Sequence, residues 1–279
     1  MSDPHFAAYS FVDRIVEFAP GKHARGTFAV PARIDAFPSA LVAEAVGQLA
    51  AWVAMDAIDF RGRPVAALAT ETRFAGAAKP GDRLDLAVDI QQCDDEAVAY
   101  DGNASVGDAR IIELVDCLGP MLPVADFDSP EALRARLVLL RGAGAAPDRF
   151  GGIDDIPVHV THRVPGSELH ATIDVPADAP FFGDHFPRRP VFPATLLLDL
   201  MMRLAVELAQ LSPGPGASVR ALRVTHVKMR SFILPSQRLD VAVALGGVDH
   251  GVAKAMLSAR TGDRLVASAR LELGSVQTA

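Results

Sequence analysis

The sequence predicts an α+β fold in which one domain occurs twice, each copy a long central helix wrapped by an antiparallel β-sheet. The segment PGDRLDLAVDI, which begins at Pro80, recurs as PSQRLDVAVAL at Pro235, an offset of 155 residues. Each half also contains a long, almost wholly apolar helical segment followed by strands of alternating polar and apolar residues. The chain of 279 residues, half of them hydrophobic, is long enough for two cores of ordinary size.

Composition and charge exclude several classes of function. The net charge is -7 and the arginines are scattered, which argues against a nucleic-acid partner. Cys93 and Cys117 lack the spacing of a disulfide framework or a zinc site. No run of roughly 18 uncharged apolar residues is present that would span a bilayer. We therefore expect a cytoplasmic protein without a metal or a membrane partner.

The register of the repeat changes at one place. Val30 matches Val175 at an offset of 145 residues, whereas Pro38 matches Pro193 at an offset of 155. The second copy therefore has ten additional residues just before Pro193, and His185 lies among them. The two copies differ in a segment that contains an ionisable residue suited to catalysis.

The repeat divides the chain into three expected parts. Residues 1–118 form the first copy, 119–152 a connector, and 153–279 the second copy. Within the copies, strands are expected at Arg83–Ile90 and Arg238–Leu245 because polar and apolar residues alternate there.

Proline and glycine mark the expected ends of the helices. Pro38 and Pro193 suit the first turn of the two long helices, where an N–H group has no partner within the helix. In the connector, Ser129-Pro130 can begin a short helix that ends near Gly142.

Ionisable residues within the two apolar helices are the first candidates for chemistry, because a buried charge needs a partner or must be neutralised. Glu44 has Gln48 one turn later, and Asp199 has Arg203 at the same spacing. We expect Arg203 to hold Asp199 ionised through an ion pair. Gln48 only hydrogen-bonds Glu44, so apolar surroundings favour the protonated carboxyl that a general acid requires. The alternative is that Glu44 is a partly exposed helix residue.

One long motif resembles a known family. The segment FFGDHFPRRPVFPATLLLDL, from Phe181 to Leu200, is similar to the active-site segment of hotdog-fold 3-hydroxyacyl-acyl-carrier-protein dehydratases, approximately His-Phe-Pro-x-x-Pro-Val-x-Pro-Gly-x-Leu-x-x-Glu/Asp. The family's histidine falls on His185 and its acidic residue on Asp199, while Ala194 replaces a glycine. The first copy resembles the same family but lacks the histidine segment. The resemblance implies a double hotdog.

The resemblance also implies how a site is assembled. Two hotdog units pair in this family, and each site takes its histidine from one unit and its carboxylate from the other. His185 should then face Glu44, with Asp199 as the reserve acid if the pairing differs. The Ala194 amide, at a helix N-terminus, is the expected oxyanion donor.

The activity implied is removal of water from a (3R)-3-hydroxyacyl thioester in fatty acid or polyketide-type biosynthesis, with no metal or redox cofactor. An acyl carrier protein is the expected partner, met by Arg188 and Arg189 unless these are only solvated surface arginines. An acyl tunnel is expected to be lined by four apolar residues, namely Phe181, Phe182, Phe192 and Leu196. The alternatives are an enoyl isomerase or hydratase, a thioesterase, and a non-catalytic acyl-binding subunit. A monomeric pseudo-dimer, or a dimer of it, is the expected assembly.

Overall fold

The computed structural model of the chain describes residues 5–65, 68–211, 218–249 and 251–276. Within those ranges it contains three α-helices, α1 (Ser39–Ala57), α2 (Pro130–Arg141) and α3 (Ala194–Gln210). Thirteen strands accompany them: β1 (Arg14–Ala19), β2 (His23–Ala29), β3 (Gly62–Pro64), β4 (Leu68–Phe74), β5 (Arg83–Cys93), β6 (Ala97–Val106), β7 (Ala109–Pro123), β8 (Val158–Val164), β9 (Glu168–Asp174), β10 (Ser218–Met229), β11 (Arg238–Asp249), β12 (Val252–Thr261) and β13 (Arg264–Val276).

The sheet has the same strand order in both halves. The first half has the order β1-β2-β5-β6-β7-β4. The second half continues the sheet as β10-β13-β12-β11-β9-β8, in which the equivalent strands follow in reverse order. Strand β3 pairs with β7 outside this order. The halves join through the antiparallel pair β4 and β10, where Thr72 lies opposite Val224. The predicted α+β double hotdog is confirmed by this topology and by the solved hotdog structures described below.

The long helices α1 and α3 lie against this sheet and contact each other. Pro38 and Pro193 are the N-cap residues of the two helices. They therefore lie one residue before the first turn, the turn in which the sequence predicted them. Gly102 on β6 allows α1 to approach the sheet closely, because a Cβ there would lie 2.4 Å from Val46 Cγ1. The two helices thus form the interior of the fold.

By length and composition alone, α1 would also suit a membrane span, with a mean hydropathy of 1.3. In the fold, 61% of this segment is buried inside the protein, as in a core helix. Its apolar character is therefore accounted for by packing against the sheet and α3.

The connector differs in one detail from the expected boundary. Strand β7 continues to Pro123, so the division expected after residue 118 falls inside a strand. The length of β7 is accounted for by its pairing with three strands, β6, β4 and β3. The helix α2 begins after Ser129, whose hydroxyl accepts a hydrogen bond from the Ala132 amide at 3.2 Å. It ends before Gly142, as the sequence predicts.

Candidate active site

A cavity of about 230 Å³ lies where the two halves meet. The first half contributes Glu44 and Gln48 from α1. The second half contributes His185, from the loop of residues 176–193 that we call the histidine loop, together with Ala194 and Thr195 at the start of α3. The structure therefore brings the histidine of one copy and the carboxylate of the other to the same cavity.

His185 is oriented by its own loop. Its Nδ1 lies 2.9 Å from the carbonyl oxygen of Val191, which can only accept, so Nδ1 carries the hydrogen. When the ring is neutral, Nε2 keeps a free lone pair. Burial lowers the pKa of His185, and the Glu44 carboxylate and the Val191 carbonyl only partly oppose this. The geometry and the electrostatics both favour a neutral imidazole with an unprotonated Nε2.

Glu44 is held by donors from both halves. Thr195 Oγ donates to Glu44 Oε2 at 2.8 Å, and Gln48 Nε2 donates to Glu44 Oε1 at 3.1 Å. The Tyr9 hydroxyl lies 2.7 Å from Thr195 Oγ. Because the Thr195 hydrogen is directed to Glu44, Tyr9 is the donor in that second bond. Tyr9, Thr195 and Glu44 thus form a hydrogen-bonded series across the interface of the two halves.

Gln48 also fixes the segment of chain that precedes β1. Its Nε2 donates to the carbonyl oxygen of Tyr9 at 2.9 Å, and its Oε1 accepts from the Phe11 amide at 2.8 Å. These bonds determine which way the amide group points. Gln48 therefore supports Glu44 as the sequence predicts, and it also positions Tyr9.

Asp184 attaches the same N-terminal segment to the histidine loop. Its carboxylate accepts hydrogen bonds from the backbone amide of Phe6, from the Tyr9 amide at 2.7 Å and from the Ser10 hydroxyl at 3.3 Å. Burial raises the pKa of this carboxyl, while the two amides oppose the rise. The residue beside His185 thus connects the two halves.

Asp199 pairs with Arg203, but its carboxyl is largely buried. Its Oδ2 lies 3.1 Å from Arg203 Nε, so the predicted ion pair forms. Burial nevertheless raises the pKa of Asp199 above its ordinary value, because the Arg203 side chain is 64% exposed and its charge is largely solvated. Arg203 opposes this rise, as expected of an ion pair, but does not outweigh burial. Asp199 is also not among the described residues that line the cavity.

The N-terminus of α3 supplies a candidate oxyanion donor. The amides of Leu196 and Leu197 both donate to the carbonyl oxygen of Pro193. Among the described residues, the Ala194 amide has no such acceptor, and Ala194 lines the cavity. A free N–H group at a helix N-terminus is suited to polarise a carbonyl oxygen.

Only one of the four predicted tunnel residues reaches the cavity. Phe192 lines it, whereas Phe181, Phe182 and Leu196 are buried in the core outside the cavity wall. The prediction fails for these three because apolar side chains near a helix look the same in sequence whether they face a core or a cavity. Other apolar residues line the wall instead, among them Ala51, Trp52, Met55, Leu133 and Leu198.

The second half matches a known family in sequence. Residues 161–268 match the family of ApeI-like dehydratases. A 3-hydroxyacyl-acyl-carrier-protein dehydratase FabZ from Tolumonas auensis is 31% identical over 120 residues, which cover 42% of this chain and 80% of that protein. The chain belongs to the hotdog-fold 3-hydroxyacyl-acyl-carrier-protein dehydratase family. The matched range of the dehydratase model includes His185 but not Glu44, so the first half supplies its carboxylate from outside that range.

Solved structures show that the fold extends over the whole chain. An acyl-CoA thioesterase II TesB2 from Mycobacterium marinum superposes with a TM-score of 0.54 at 16% identity, covering 95% of both chains. A protein of unknown function with the hotdog fold from Alicyclobacillus acidocaldarius covers 98% of both chains, with a TM-score of 0.52 and 14% identity. This dehydratase-family chain therefore has the architecture of double hotdogs, and at such low identities the likeness concerns the fold alone.

Several residues of the dehydratase-family site are not predicted by the sequence. Thr195 lies within the histidine motif but has no assigned role there, and Tyr9 lies far from it in the chain. Arg63 is a buried arginine beside the cavity, where its guanidinium carbon lies 4.0 Å from the centre of the Phe186 ring. A single arginine in a short strand carries no sequence signal of this kind.

The two predicted carrier-binding arginines lie at the surface of the histidine loop. Arg188 is exposed and donates to the carbonyl oxygen of Ala125 at 2.9 Å. Arg189 is also exposed and lies over the rings of Phe127 and Phe232. Both cations remain accessible to an acidic partner. Within the described ranges, no group of three or more His, Cys, Asp or Glu side chains is arranged to hold a metal ion.

Proposed function

We propose that this chain removes water from a (3R)-3-hydroxyacyl thioester to give a trans-2-enoyl thioester, at one composite site built from both halves. The observation that carries the proposal is that His185, with Nδ1 bonded to Val191, and Glu44, bonded by Thr195, line the same cavity. The family relationship supports the reaction type, and the name of the FabZ relative supports a carrier-bound substrate. We propose that the chain acts in fatty acid or polyketide-type biosynthesis.

The reaction requires two proton transfers. Nε2 of neutral His185 takes the proton from C2, and the electron pair of that C–H bond forms the C2–C3 double bond. The C3–O bond breaks, and Glu44 donates a proton to the departing hydroxyl, which leaves as water. Each Glu44 oxygen accepts one hydrogen bond in the structure, so one oxygen still has a lone pair for this proton. The Ala194 amide polarises the thioester carbonyl.

An assay with a 3-hydroxyacyl thioester as substrate distinguishes the competing activities by their products. We expect a 3-hydroxyacyl thioester to lose one water, seen by mass spectrometry, while the thiol stays esterified. Free thiol and a free acid would indicate a thioesterase, and migration of the double bond in an enoyl substrate would indicate an isomerase. Substrate binding without turnover would indicate a non-catalytic acyl-binding subunit.

In this assay, His185→Ala tests the role of the proposed base. General acid–base residues contribute about 10²–10⁴-fold, so we expect a loss of that order in kcat. His170 lies on β9, outside the residues that line the cavity, so His170→Ala is the control and should keep wild-type activity. Equal activity of wild type and His185→Ala would overturn the proposal.

A further inference from the structure

Arg63 has hydrogen-bond donors that nothing in the described protein satisfies. Its side chain is 14% exposed, and its Nε and Nη1 atoms are buried without a hydrogen-bond partner among the described residues. The nearest counter-charge is Asp128, whose Oδ2 lies 3.6 Å from Nη1. Burial lowers the pKa of Arg63 to about 10, so the guanidinium stays charged at neutral pH. Buried donors of this kind are costly unless an acceptor arrives.

A second unpartnered group lies in the same cavity. Ser231 Oγ is buried without a hydrogen-bond partner among the described residues, and Ser231 lines the cavity together with Arg63. The remaining wall is mainly apolar. Two buried polar groups that share a cavity and lack partners favour a ligand with oxygen acceptors at that point.

Ser231 also lies beside a second cavity. Ser231, Val65 and Phe232 line this cavity of about 260 Å³, to which the exposed Arg230 contributes. The two cavities therefore share part of their walls, and Ser231 lies where they adjoin.

Aromatic and cationic side chains pack against one another beside these cavities. Arg189, at the surface, lies over Phe127 and Phe232, and the Phe127 ring lies 5.2 Å from that of Phe186. The Phe186 ring in turn stacks on His185, and the Arg63 guanidinium lies over the same Phe186 ring. Arg63 thus belongs to a packed series of rings and cations that extends from exposed Arg189 to the imidazole.

We propose that Arg63 and Ser231 form a polar subsite for the pantetheine arm of the thioester, with the guanidinium donating to the amide carbonyl nearest the sulfur. This inference rests on the proposed function and names the part of the substrate that the residues contact. The arm of a carrier-bound or coenzyme A thioester has amide carbonyls that accept hydrogen bonds, separated by short apolar stretches. Exposed Arg188, Arg189 and Arg230 lie at the surface beside these cavities, where the phosphate of such an arm is expected to remain.

Thioesters of three thiols test whether Arg63 contacts the pantetheine arm or the reacting atoms. The 3-hydroxyacyl esters of pantetheine and of N-acetylcysteamine both keep the amide nearest the sulfur, whereas the ester of propanethiol has no amide. We expect Arg63→Gln to lose about tenfold or more in kcat/KM on the first two, mainly through KM, and less than about twofold on the third. Ser231→Ala is expected to show a smaller loss with the same preference, and it is the variant less disturbing to the fold.

The control is Arg61→Gln, since Arg61 is exposed two residues away and pairs with Asp95 at the surface. It should match wild type on all three esters. Equal losses for Arg63→Gln on all three esters would overturn the proposal, because Arg63 would then act on the acyl group or the reacting atoms. Undiminished activity on the pantetheine ester would overturn it as well.

A binding measurement keeps the subsite testable apart from the reaction. S-propyl pantetheine, a non-reactive thioether, should bind the wild-type chain in calorimetry and bind Arg63→Gln about tenfold more weakly. If no thioester is dehydrated but this binding pattern holds, the proposed function fails and the subsite stands. If the thioether does not bind wild type, or binds the variant equally well, the subsite is wrong.

Discussion

Thr195 Oγ donates a 2.8 Å hydrogen bond to Glu44 Oε2 across a sequence separation of 151 residues. The donor begins the central helix of one half, and the acceptor lies in the central helix of the other. This bond joins the N-terminus of α3, which directly follows the histidine loop, to the carboxylate proposed to act with His185. The position of Glu44 therefore depends on a residue of the opposite repeat.

Thr195→Val removes this donor and keeps the shape of the side chain. A hydrogen bond of this kind contributes about 0.5–1.5 kcal/mol, so we expect kcat to fall about three- to tenfold while KM changes little. Thr195→Ser should restore activity because the hydroxyl returns. Steady-state kinetics of the three proteins, with thermal unfolding as a check on the fold, test this. A loss in Thr195→Ser as large as in Thr195→Val would show that the methyl group matters and the hydroxyl does not.

The composite-site hypothesis predicts unequal effects at the two equivalent carboxyls. Glu44→Gln keeps the size and loses the proton donor, so we expect kcat to fall about 10²–10⁴-fold. Asp199→Asn should retain most of the activity, because Asp199 lies outside the cavity wall and pairs with Arg203. The measurement is kcat on one 3-hydroxyacyl thioester for both variants. Full activity in Glu44→Gln with inactivity in Asp199→Asn would reverse the assignment.

The pH dependence should report the lowered pKa of His185. The base must be neutral, so kcat/KM falls as the pH falls through that pKa, and the acid limb should lie below the ordinary histidine value of about 6.5. The Arg63 guanidinium contributes to the lowered pKa of His185, so the acid limb of Arg63→Gln should lie at higher pH than that of the wild type. A wild-type midpoint above 6.5 would contradict the assignment of His185 as a buried neutral base.

The double hotdog and the candidate pair His185 and Glu44 could be predicted because their signals are local in sequence. The repeat and its change of register are visible in a single chain, and the histidine motif is continuous from Phe181 to Leu200. The role of Tyr9 could not be predicted in the same way. Its contact with Thr195 spans 186 residues and depends on how the N-terminal segment crosses to the other half.

Burial explains the other differences. The sequence shows that Arg203 can reach Asp199 but not that the arginine is exposed while the carboxyl is largely buried. Phe192 lines the cavity and Phe181 packs in the core, although both are apolar residues of the same loop. Such outcomes depend on the tertiary environment of each side chain, which spacing and residue type do not specify.

Asp184 offers a test of the contact between the N-terminal segment and the histidine loop. Asp184→Ala leaves the amides of Phe6 and Tyr9 without their acceptor, so we expect faster proteolysis near the N-terminus and reduced kcat. Asp184→Asn keeps one acceptor oxygen and should lie between this variant and wild type. Limited proteolysis followed by mass spectrometry locates the cleavage. Unchanged proteolysis of Asp184→Ala would show that other contacts, such as those of Gln48, hold the segment.

The approach of α1 to the sheet gives a prediction about stability. A Cβ on Gly102 would lie 2.4 Å from Val46 Cγ1 and 3.1 Å from the carbonyl oxygen of Ala87, so helix or strand must shift to accept it. Because overpacking a dense core typically costs about 1–3 kcal/mol, Gly102→Ala should lower the free energy of unfolding by that amount in urea denaturation. Gly247 is exposed on β11 with no heavy atom within 4 Å of its would-be Cβ, so Gly247→Ala should be nearly neutral. Adding Val46→Ala to Gly102→Ala should recover part of the loss, since it removes the methyl group that clashes. If Gly102→Ala unfolds at the same urea concentration as Gly247→Ala, the helix lies farther from β6 than the structure places it.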